Sequence, residues 1–311
     1  MGEREIVCGD FNAGLDDLRE EGFRLDLIYP ADDPHTAVLT RGGESVRLTA
    51  RPGDARPSET LPPFAPEFVL TRAGAAPGQG RAGMLYRDLV PSRLGGRYIA
   101  SHISIPQGGP VRDWVHFHEI ALQMLYVRRG WVRVVYQDQG EPFVMRQGDL
   151  VLQPPGIRHR VLESSDGFEV VEIGAPALHA TFAEHEIDLP NGSSPGRLYG
   201  GQHFLRHVAA ATPWTPFGGG EAQETAMSAA TGGLAAVRTL RSLGEQPMDF
   251  APHPGELVFG FVLDGTAILS FRGEHRLDPG DAFVIPPREE WRITAPAAGF
   301  RLLHVTTAQL D

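Results

Sequence analysis

The chain has 311 residues, of which 28 are basic and 39 are acidic, so its formal net charge is −11. This length leaves room for two or three domains with sizeable cores. No basic stripe is present, so nucleic acid is not an expected partner. No apolar run reaches the length of a bilayer span, so no membrane partner is expected either.

The cysteine count bears on the cellular compartment, and the glycine and proline counts bear on the fold class. A single cysteine, Cys8, excludes an intrachain disulfide and fits a reducing compartment. The first ten residues lack the apolar core of a signal peptide, so we expect a cytoplasmic protein. Helix-favouring runs are few, whereas 37 glycines and 26 prolines are present, which favours an all-β architecture rich in turns.

Residues 1–52 are predicted to form a small α+β segment. EIVCGDF predicts a strand, NAGLDDLREEG a short helix, RLDLIYP a second strand and TAVLTRGGESVRLTARP a hairpin that turns at residues 41–44. This β-α-β-β-β order resembles one half-module of the glyoxalase-like (vicinal oxygen chelate) family. The metal-binding positions of that family lie on the first and last strands, which here carry no His/Glu pair. We therefore expect a structural role, in packing or dimerisation.

A linker and a strand-rich block are predicted to follow. Residues 53–80 are dense in Pro, Gly and Ala, which is typical of a linker. Residues 81–176 contain apolar runs of strand length, from MLYRDLV to FEVVEIGAP, separated by turn residues. This pattern predicts a small antiparallel barrel or jelly roll.

The central block contains three histidines and a glutamine in a suggestive arrangement. His116 and His118 are two residues apart in a predicted strand, so both side chains project to the same face. Gln123 can return to that space from the start of the next strand, and the Pro-Pro-Gly bend at residues 154–156 brings in His159. Three imidazoles and one amide oxygen can bind a divalent transition metal and leave positions open for water or substrate.

The spacing of these residues resembles the two signature motifs of the cupin family, G-x5-H-x-H-x3,4-E-x6-G and G-x5-P-x-G-x2-H-x3-N. The second motif is matched at Gly148, Pro154, Gly156 and His159, with Glu163 at the usual Asn position. The first motif is matched at His116, His118 and Gly130. It departs in two places, because Gln123 replaces the usual Glu and Gly109 lies one residue further out.

Residues 177–222 are predicted to be a connector, and residues 223–311 repeat the central block in degraded form. Gly265 and Gly280 align with the glycines of the two motifs. Counting from them, the equivalents of the four ligand positions are Ala251, His253, Val258 and Trp291. One imidazole out of four does not hold a metal tightly. The chain therefore resembles a bicupin, with two jelly-roll barrels in tandem, a metal site in the first and a degenerate second barrel without one.

The resemblance implies a metal-dependent enzyme that acts on a small oxygenated organic molecule. His116, His118 and His159 would be ligands, and Gln123 would be a fourth ligand or a hydrogen-bond donor to bound substrate. The ion would be a divalent transition metal, with Fe favoured over Zn, Ni or Mn. Each ligand imidazole should donate its second N–H to an acceptor, and Glu163 is a candidate for that role and for catalysis. An exposed position at the barrel edge is the alternative for Glu163.

Substrate contacts are predicted at three further positions. Arg97 and His102 lie on a strand that can line the barrel mouth, and Arg158 is adjacent to His159. An arginine at such a place suits a carboxylate or phenolate. Structural ion pairing is the alternative for each of these residues.

Two function classes remain open from the sequence. Three-histidine iron sites occur in several cupin families that split enol or aromatic-diol substrates, and this resemblance favours a dioxygenase of that type. A His-His-Gln-His set also resembles cupins that act as isomerases, lyases or cyclases, including those that open unsaturated galacturonate rings. A non-catalytic protein that binds a small molecule is the alternative from another class. The acidic, β-rich chain is compatible with a homodimer.

Overall fold

The structure is a computed structural model that describes residues 3–58, 60–80 and 83–310. Strands dominate, and the only helices in the described residues longer than a single 3-10 turn are one of ten residues and one of four. The predicted all-β class is confirmed, with two jelly-roll-like arrangements of strands following a small α+β segment. None of the helices in the described ranges is long and apolar enough to cross a bilayer.

The N-terminal module (residues 4–49) has the β-α-β-β-β order that the sequence predicts. It comprises β1 (Arg4–Val7), α1 (Phe11–Glu20), β2 (Arg24–Tyr29), β3 (Thr36–Arg41) and β4 (Glu44–Thr49). Its sheet order is β1-β4-β3-β2, and β1 runs parallel to β4. The carboxylate of Asp10 caps α1 by accepting a hydrogen bond from the Ala13 N–H at 3.0 Å. The helix buries Phe11, Leu15 and Leu18 in the module's own apolar core.

The first barrel follows two short strands. The short strands are β5 (Val69–Thr71) and β6 (Gly78–Gln79). The barrel contains β7 (Leu85–Asp88), β8 (Ile99–Ile105), β9 (Gly109–Pro110), β10 (His116–His118), β11 (Leu122–Arg129), β12 (Trp131–Tyr136), β13 (Phe143–Arg146), β14 (Leu150–Leu152), β15 (His159–Ser164) and β16 (Phe168–Ala175). Its two sheets contain the orders β10-β15-β12-β13 and β14-β11-β16-β8.

The second barrel repeats this topology. Between the barrels lie β17 (Thr181–Ala183), β18 (Leu198–Tyr199), β19 (Gln202–His203), β20 (Leu205–His207) and β21 (Thr215–Phe217). The barrel contains β22 (Gly220–Glu224), α2 (Met227–Ala230), β23 (Ala235–Ser242), β24 (Met248–Phe250), β25 (Val258–Asp264), β26 (Ala267–Ser270), β27 (Glu274–Leu277), β28 (Ala282–Val284), β29 (Trp291–Thr294) and β30 (Arg301–Thr307). Its sheet orders, β24-β29-β26-β27 and β28-β25-β30-β23, correspond strand for strand to those of the first barrel.

The segments predicted to be a linker and a connector contribute strands to the barrels. Strand β5, which precedes the first barrel, pairs with β28 of the second. Strand β20 pairs with β14 of the first barrel at the equivalent edge, shortly before the chain enters the second. Each barrel therefore receives an edge strand from the segment that leads into the other. The predicted domain boundaries stay predictions, since this exchange spreads each unit over more than one stretch of chain.

The two barrels pack together through one continuous apolar core. It joins residues of β11 and β16 with residues of β25 and β30, and it includes the fully buried Phe259 and Phe261. A buried ion pair crosses the same interface, where the guanidinium of Arg97 donates to both carboxylate oxygens of Glu256 at 2.9 and 2.8 Å. The N-terminal module joins the first barrel differently, because β17 pairs with β2 on one side and with β10 on the other.

Candidate metal centre

Three buried histidines converge inside the first barrel, as the sequence predicts. His116 and His118 lie on β10, and His159 begins β15, where it faces His116 in the antiparallel register. The ring centroids of His116 and His159 are 4.1 Å apart, and those of His118 lie 5.2 and 5.3 Å from the other two. One nitrogen of each ring lies within 4.8 Å of its counterparts. Such a cluster places one nitrogen of each imidazole close enough for all three to bind a single ion.

Hydrogen bonds fix the orientation of these rings. The Nδ1 of His116 donates to the Trp114 carbonyl at 2.8 Å, and the Nδ1 of His159 donates to the Ile157 carbonyl at 3.0 Å. Because a carbonyl can only accept, each Nδ1 carries the proton and each Nε2 carries the lone pair. The Nδ1 of His118 lies 3.0 Å from the hydroxyl of Thr181. All three rings are therefore held in the manner of metal ligands, by a partner on the nitrogen that does not bind the ion.

Gln123 lies in the same cavity and holds a carboxylate that sequence reasoning missed. Its Nε2 donates to the Oε1 of Glu172 at 2.5 Å. Glu172 lies on β16, where it follows Phe168 and Val170 at every second position and lines the cavity with them. An acidic residue in phase with two inward apolar residues was the signal that could have identified it. A carboxylate therefore accompanies the histidines although the motif has Gln where Glu is usual.

The cavity next to the cluster is small and mostly apolar. Its volume is about 70 Å³. The polar groups that line it are His116, His118, His159, Gln123, Gln153, Glu172 and the phenols of Tyr86 and Tyr136. Among its described apolar wall residues are Ile103, Leu125, Val134, Met145, Val161 and Phe168. No Arg or Lys is among the described residues of this lining, and Glu172 is the one acidic residue.

A tyrosine and a glutamine complete the polar end of the cavity. The ring of Tyr136 stacks on His159, with centroids 5.6 Å apart, and its hydroxyl accepts from the Nε2 of Gln153 at 2.7 Å. Burial raises the pKa of Tyr136, so its hydroxyl keeps its proton and remains a donor. The described cavity can therefore offer a hydrogen bond to a bound oxygen close to the histidines.

Two of the predicted site residues lie in ion pairs and do not line the cavity. Arg97 binds Glu256 at the interface between the barrels. Glu163 follows a β-bulge, because β12 and β15 pair Val134 with Val161 but Arg133 with Glu163. The extra residue turns Glu163 outward, where its carboxylate lies 3.4 Å from the guanidinium of Arg133. Strand alternation without the bulge would have put it on the face of His159.

The other two predicted substrate contacts are also placed outside the lining. His102 lies 3.0 Å from Glu169, beside the Arg128 guanidinium, and its ring approaches Phe261 of the second barrel. Burial lowers the pKa of His102 in spite of the acidic neighbour. Arg158 donates to Glu184 at 2.7 Å and its guanidinium packs over the ring of Phe117.

The donor set fits a divalent transition metal. Three imidazoles, each held at its other nitrogen, are ligands that such ions favour. Three protein ligands leave further coordination positions open for water or substrate, next to the amide of Gln123 and the carboxylate of Glu172. Of the described residues, these three histidines form the one group of three or more His, Cys, Asp or Glu side chains close enough together to hold an ion.

Comparisons with known proteins agree with this picture of the fold. Residues 101–173 and 244–305 match the family model described as Cupin domain. No curated protein sequence matches the chain. Among solved structures, oxalate decarboxylase from Bacillus subtilis at pH 4.6 is 12% identical, with a TM-score of 0.58 over 85% of this chain and 80% of that chain.

Two further solved structures are similar. The formate complex of oxalate decarboxylase from Lactobacillus farciminis is 13% identical, with a TM-score of 0.56 over 83% of this chain and 88% of that one. The putative glyoxylate induced protein from Pseudomonas aeruginosa is 13% identical, with a TM-score of 0.56 over 83% of this chain and 93% of that one. At such identities the likeness establishes the fold alone.

Proposed function

Since the chain is a bicupin of the cupin superfamily, we propose that its first barrel is the active site of a metal-dependent enzyme that acts on a small oxygenated molecule. The observation that carries the proposal is the cluster of three oriented histidines at the polar end of an apolar cavity. A binding module would not need three buried imidazoles with one nitrogen each in such close approach. The same geometry is what a catalytic ion requires, with protein ligands on one side and open positions on the other.

Iron is the ion that we favour, with Zn, Ni and Mn as the alternatives. When bound, such an ion would supply Lewis-acid or redox chemistry to an oxygenated substrate. His116, His118 and His159 would hold it, and Gln123 would act as a fourth ligand or as a donor to the substrate. With no carboxylate contributed by the motif itself, the negative charge near the site would come from Glu172, which Gln123 holds in place, and from the buried Asp113, whose Oδ1 lies 3.6 Å from the His116 Nδ1.

The cavity lining supports a small uncharged substrate. An anionic sugar acid or dicarboxylate would find an acidic residue and no Arg or Lys in the described lining, so the bound ion alone would have to offset the cost of burying its charge. The volume of about 70 Å³ is roughly half that of the ~150 Å³ engineered cavity that binds benzene. The small volume favours a short enol-type molecule over an aromatic diol, and the charge of the lining disfavours a uronate.

The polar residues at the end of the cavity would have separate roles. Glu172 would accept a proton from the substrate at its carboxylate, and Gln123 would keep that carboxylate oriented through its amide N–H. Tyr136 would donate its phenolic proton to a substrate oxygen, positioned by Gln153. The apolar walls would exclude bulk water. We therefore favour a dioxygenase of the enol type, and a non-redox isomerase, lyase or cyclase is the alternative.

Two measurements test the proposal. Protein purified without a histidine tag should contain about one equivalent of a transition metal, identified by anomalous scattering at the histidine cluster. Oxygen uptake by the Fe(II)-loaded protein should then be faster with neutral β-diketones than with catechols, and undetectable with oxalate. Less than about a tenth of an equivalent of metal would overturn the enzyme proposal.

The substrate panel also separates the alternatives. Turnover of an unsaturated uronate without oxygen uptake would favour the isomerase, lyase or cyclase class and would contradict the interpretation of the cavity lining. Turnover of oxalate would favour a decarboxylase and would likewise contradict the interpretation of the cavity lining. Tight binding of a small molecule without turnover, whichever metal is supplied, would indicate a binding protein and not an enzyme.

A further inference from the structure

We propose that the N-terminal module is part of the metal centre, and that Thr181 is the positioning residue through which it holds His118. This inference rests on the proposed metal site but concerns a part of the chain with no expected role in it. Three sets of contacts connect the module to the histidine cluster.

The first connection runs through the sheet. His118 on β10 is the register partner of Thr181 on β17, and Thr181 is in turn the register partner of Ile28 on β2 of the module. The hydroxyl of Thr181 lies 3.0 Å from the Nδ1 of His118. Strand β17 has three residues and lies between β10 and β2. Its position is therefore fixed on one side by the ligand strand and on the other by the module.

The second connection runs through Trp114. Its carbonyl accepts the proton of the His116 Nδ1, and its indole packs against the apolar core of the module. The guanidinium of Arg19, on α1 of the module, lies 5.9 Å from the centre of that indole. The residue that orients the second ligand imidazole is thus itself held by the module.

The third connection is at the cavity wall. Ala31, which follows β2, lines the cavity together with the histidines. The adjacent Asp32 forms an ion pair with Arg93 of the first-barrel region at 2.7 Å, with both side chains largely buried. The His185 ring, two residues beyond β17, donates through Nε2 to the Leu25 carbonyl at 2.8 Å. These contacts fasten the module against the barrel on both sides of β17.

The direct test is a pair of substitutions at Thr181. Thr181→Val keeps the shape of the side chain and removes the hydroxyl, so Co²⁺ affinity should fall about tenfold, the lower end of what loss of a partner to a ligand histidine costs. Thr181→Ser retains the hydroxyl and should stay within about twofold of the unmodified chain. Equal affinities for the two variants would overturn the role of Thr181.

A matched pair of core truncations tests the module. Leu39 is fully buried in the module and Leu269 is fully buried in the second barrel, and neither lines the cavity. Leu39→Ala and Leu269→Ala should lower the melting temperature to a similar degree. Only Leu39→Ala should weaken Co²⁺ binding and change the visible absorption spectrum of the bound ion. Weakening by both variants, or by neither, would overturn the proposal.

A metal-free measurement keeps this inference separate from the proposed function. The ring ¹⁵N chemical shifts of His118, assigned with His118→Gln, should change in Thr181→Val and Leu39→Ala but not in Leu269→Ala. If the unmodified chain binds no Co²⁺, the proposed function fails, and these shifts still decide whether the module positions His118. Unchanged shifts in Leu39→Ala would overturn the inference even if the metal site is real.

Discussion

The two barrels share one strand order and differ in what lies inside them. In the first, His116 faces His159 across β10 and β15 at the end of a cavity. In the second, the equivalent strands β24 and β29 place Phe250 opposite Trp291, and the two rings stack with centroids 3.7 Å apart and planes 6° apart. An aromatic stack therefore occupies the place that the histidine pair has in the first barrel.

The difference extends to the neighbouring strands. Glu172 pairs with Leu125 in the first barrel, and the equivalent pair in the second is His304 with Gly260. A side chain at Gly260 would collide with the ring of Phe283, whose nearest atom lies only 2.2 Å from the point that a Cβ would occupy. The second interior thus combines large rings with a missing side chain to reach close packing. The same strand order therefore accommodates an interior filled by aromatic rings and an interior with a histidine cluster beside a cavity.

The largest expected effect comes from removing one histidine of the cluster in the first interior. His159→Ala should reduce the metal content from about one equivalent to less than a tenth, because two imidazoles cannot hold the ion. His304→Gln, a buried imidazole of the second barrel, should leave the metal content unchanged. Elemental analysis of both proteins checks the prediction. Equal losses in the two variants would show that the barrels do not differ in the way described.

The next effect concerns stability. Trp291→Ala removes half of the aromatic stack and should lower the free energy of unfolding by about 3–5 kcal/mol. His159→Ala in metal-free protein removes a side chain that borders a cavity, so it should cost less than half as much. Denaturant unfolding of both variants, with metal chelated, measures the difference. A similar cost for the two would mean that the first interior is packed as tightly as the second.

The sequence predicted the repeat and the convergence of the three histidines because both depend on local spacing. Two histidines at alternate strand positions and a Pro-Gly bend before the third fix their directions with little help from the rest of the chain. Counting from Gly265 placed Ala251 at the equivalent of His116, whereas the strand pairing places Phe250 there. The one-residue difference arises because spacing alone does not show how loops between strands differ in length.

Residues whose position depends on distant segments were harder to predict. Arg97 is drawn into an ion pair with Glu256, which is 159 residues away in the chain. The exchange of β5 and β20 between the barrels depends on pairing that neither segment specifies, since each is only three residues long. The pairing of the module's β2 with the three-residue β17 is likewise not specified by either segment alone. Short apolar runs predict that a strand forms but not which strand it pairs with.

The stability of the protein should depend on pH through His304, a buried residue of the second interior. Burial, followed by the neighbouring Arg238 and His253, lowers the pKa of His304 well below its ordinary value. Below about pH 6.5 the unfolded chain binds a proton here that the folded chain does not, so stability falls as pH decreases toward the folded pKa. His304→Asn keeps an acceptor for the Arg238 N–H and removes this dependence.

The measurement is the free energy of unfolding between pH 5 and 8, with metal chelated. Below pH 6.5 the slope for the unmodified chain should exceed that for His304→Asn by about 1.4 kcal/mol per pH unit. Coincident slopes would indicate that His304 is protonated in the folded barrel, and hence that this interior is hydrated and not closely packed.

The smallest effect is expected at Glu163, where the outer surface of the first barrel can be compared with its interior. The bulge between β12 and β15 turns this carboxylate toward Arg133, and both side chains are more than a third exposed. An exposed ion pair contributes about 0–1 kcal/mol, so Glu163→Ala should change stability by less than about 0.5 kcal/mol and leave metal content and turnover unaltered.

Glu172→Gln, inside the cavity, should lower turnover about 10²-fold if its carboxylate accepts the substrate proton. A loss of turnover in Glu163→Ala comparable to that in Glu172→Gln would mean that the bulge does not separate the two carboxylates in solution.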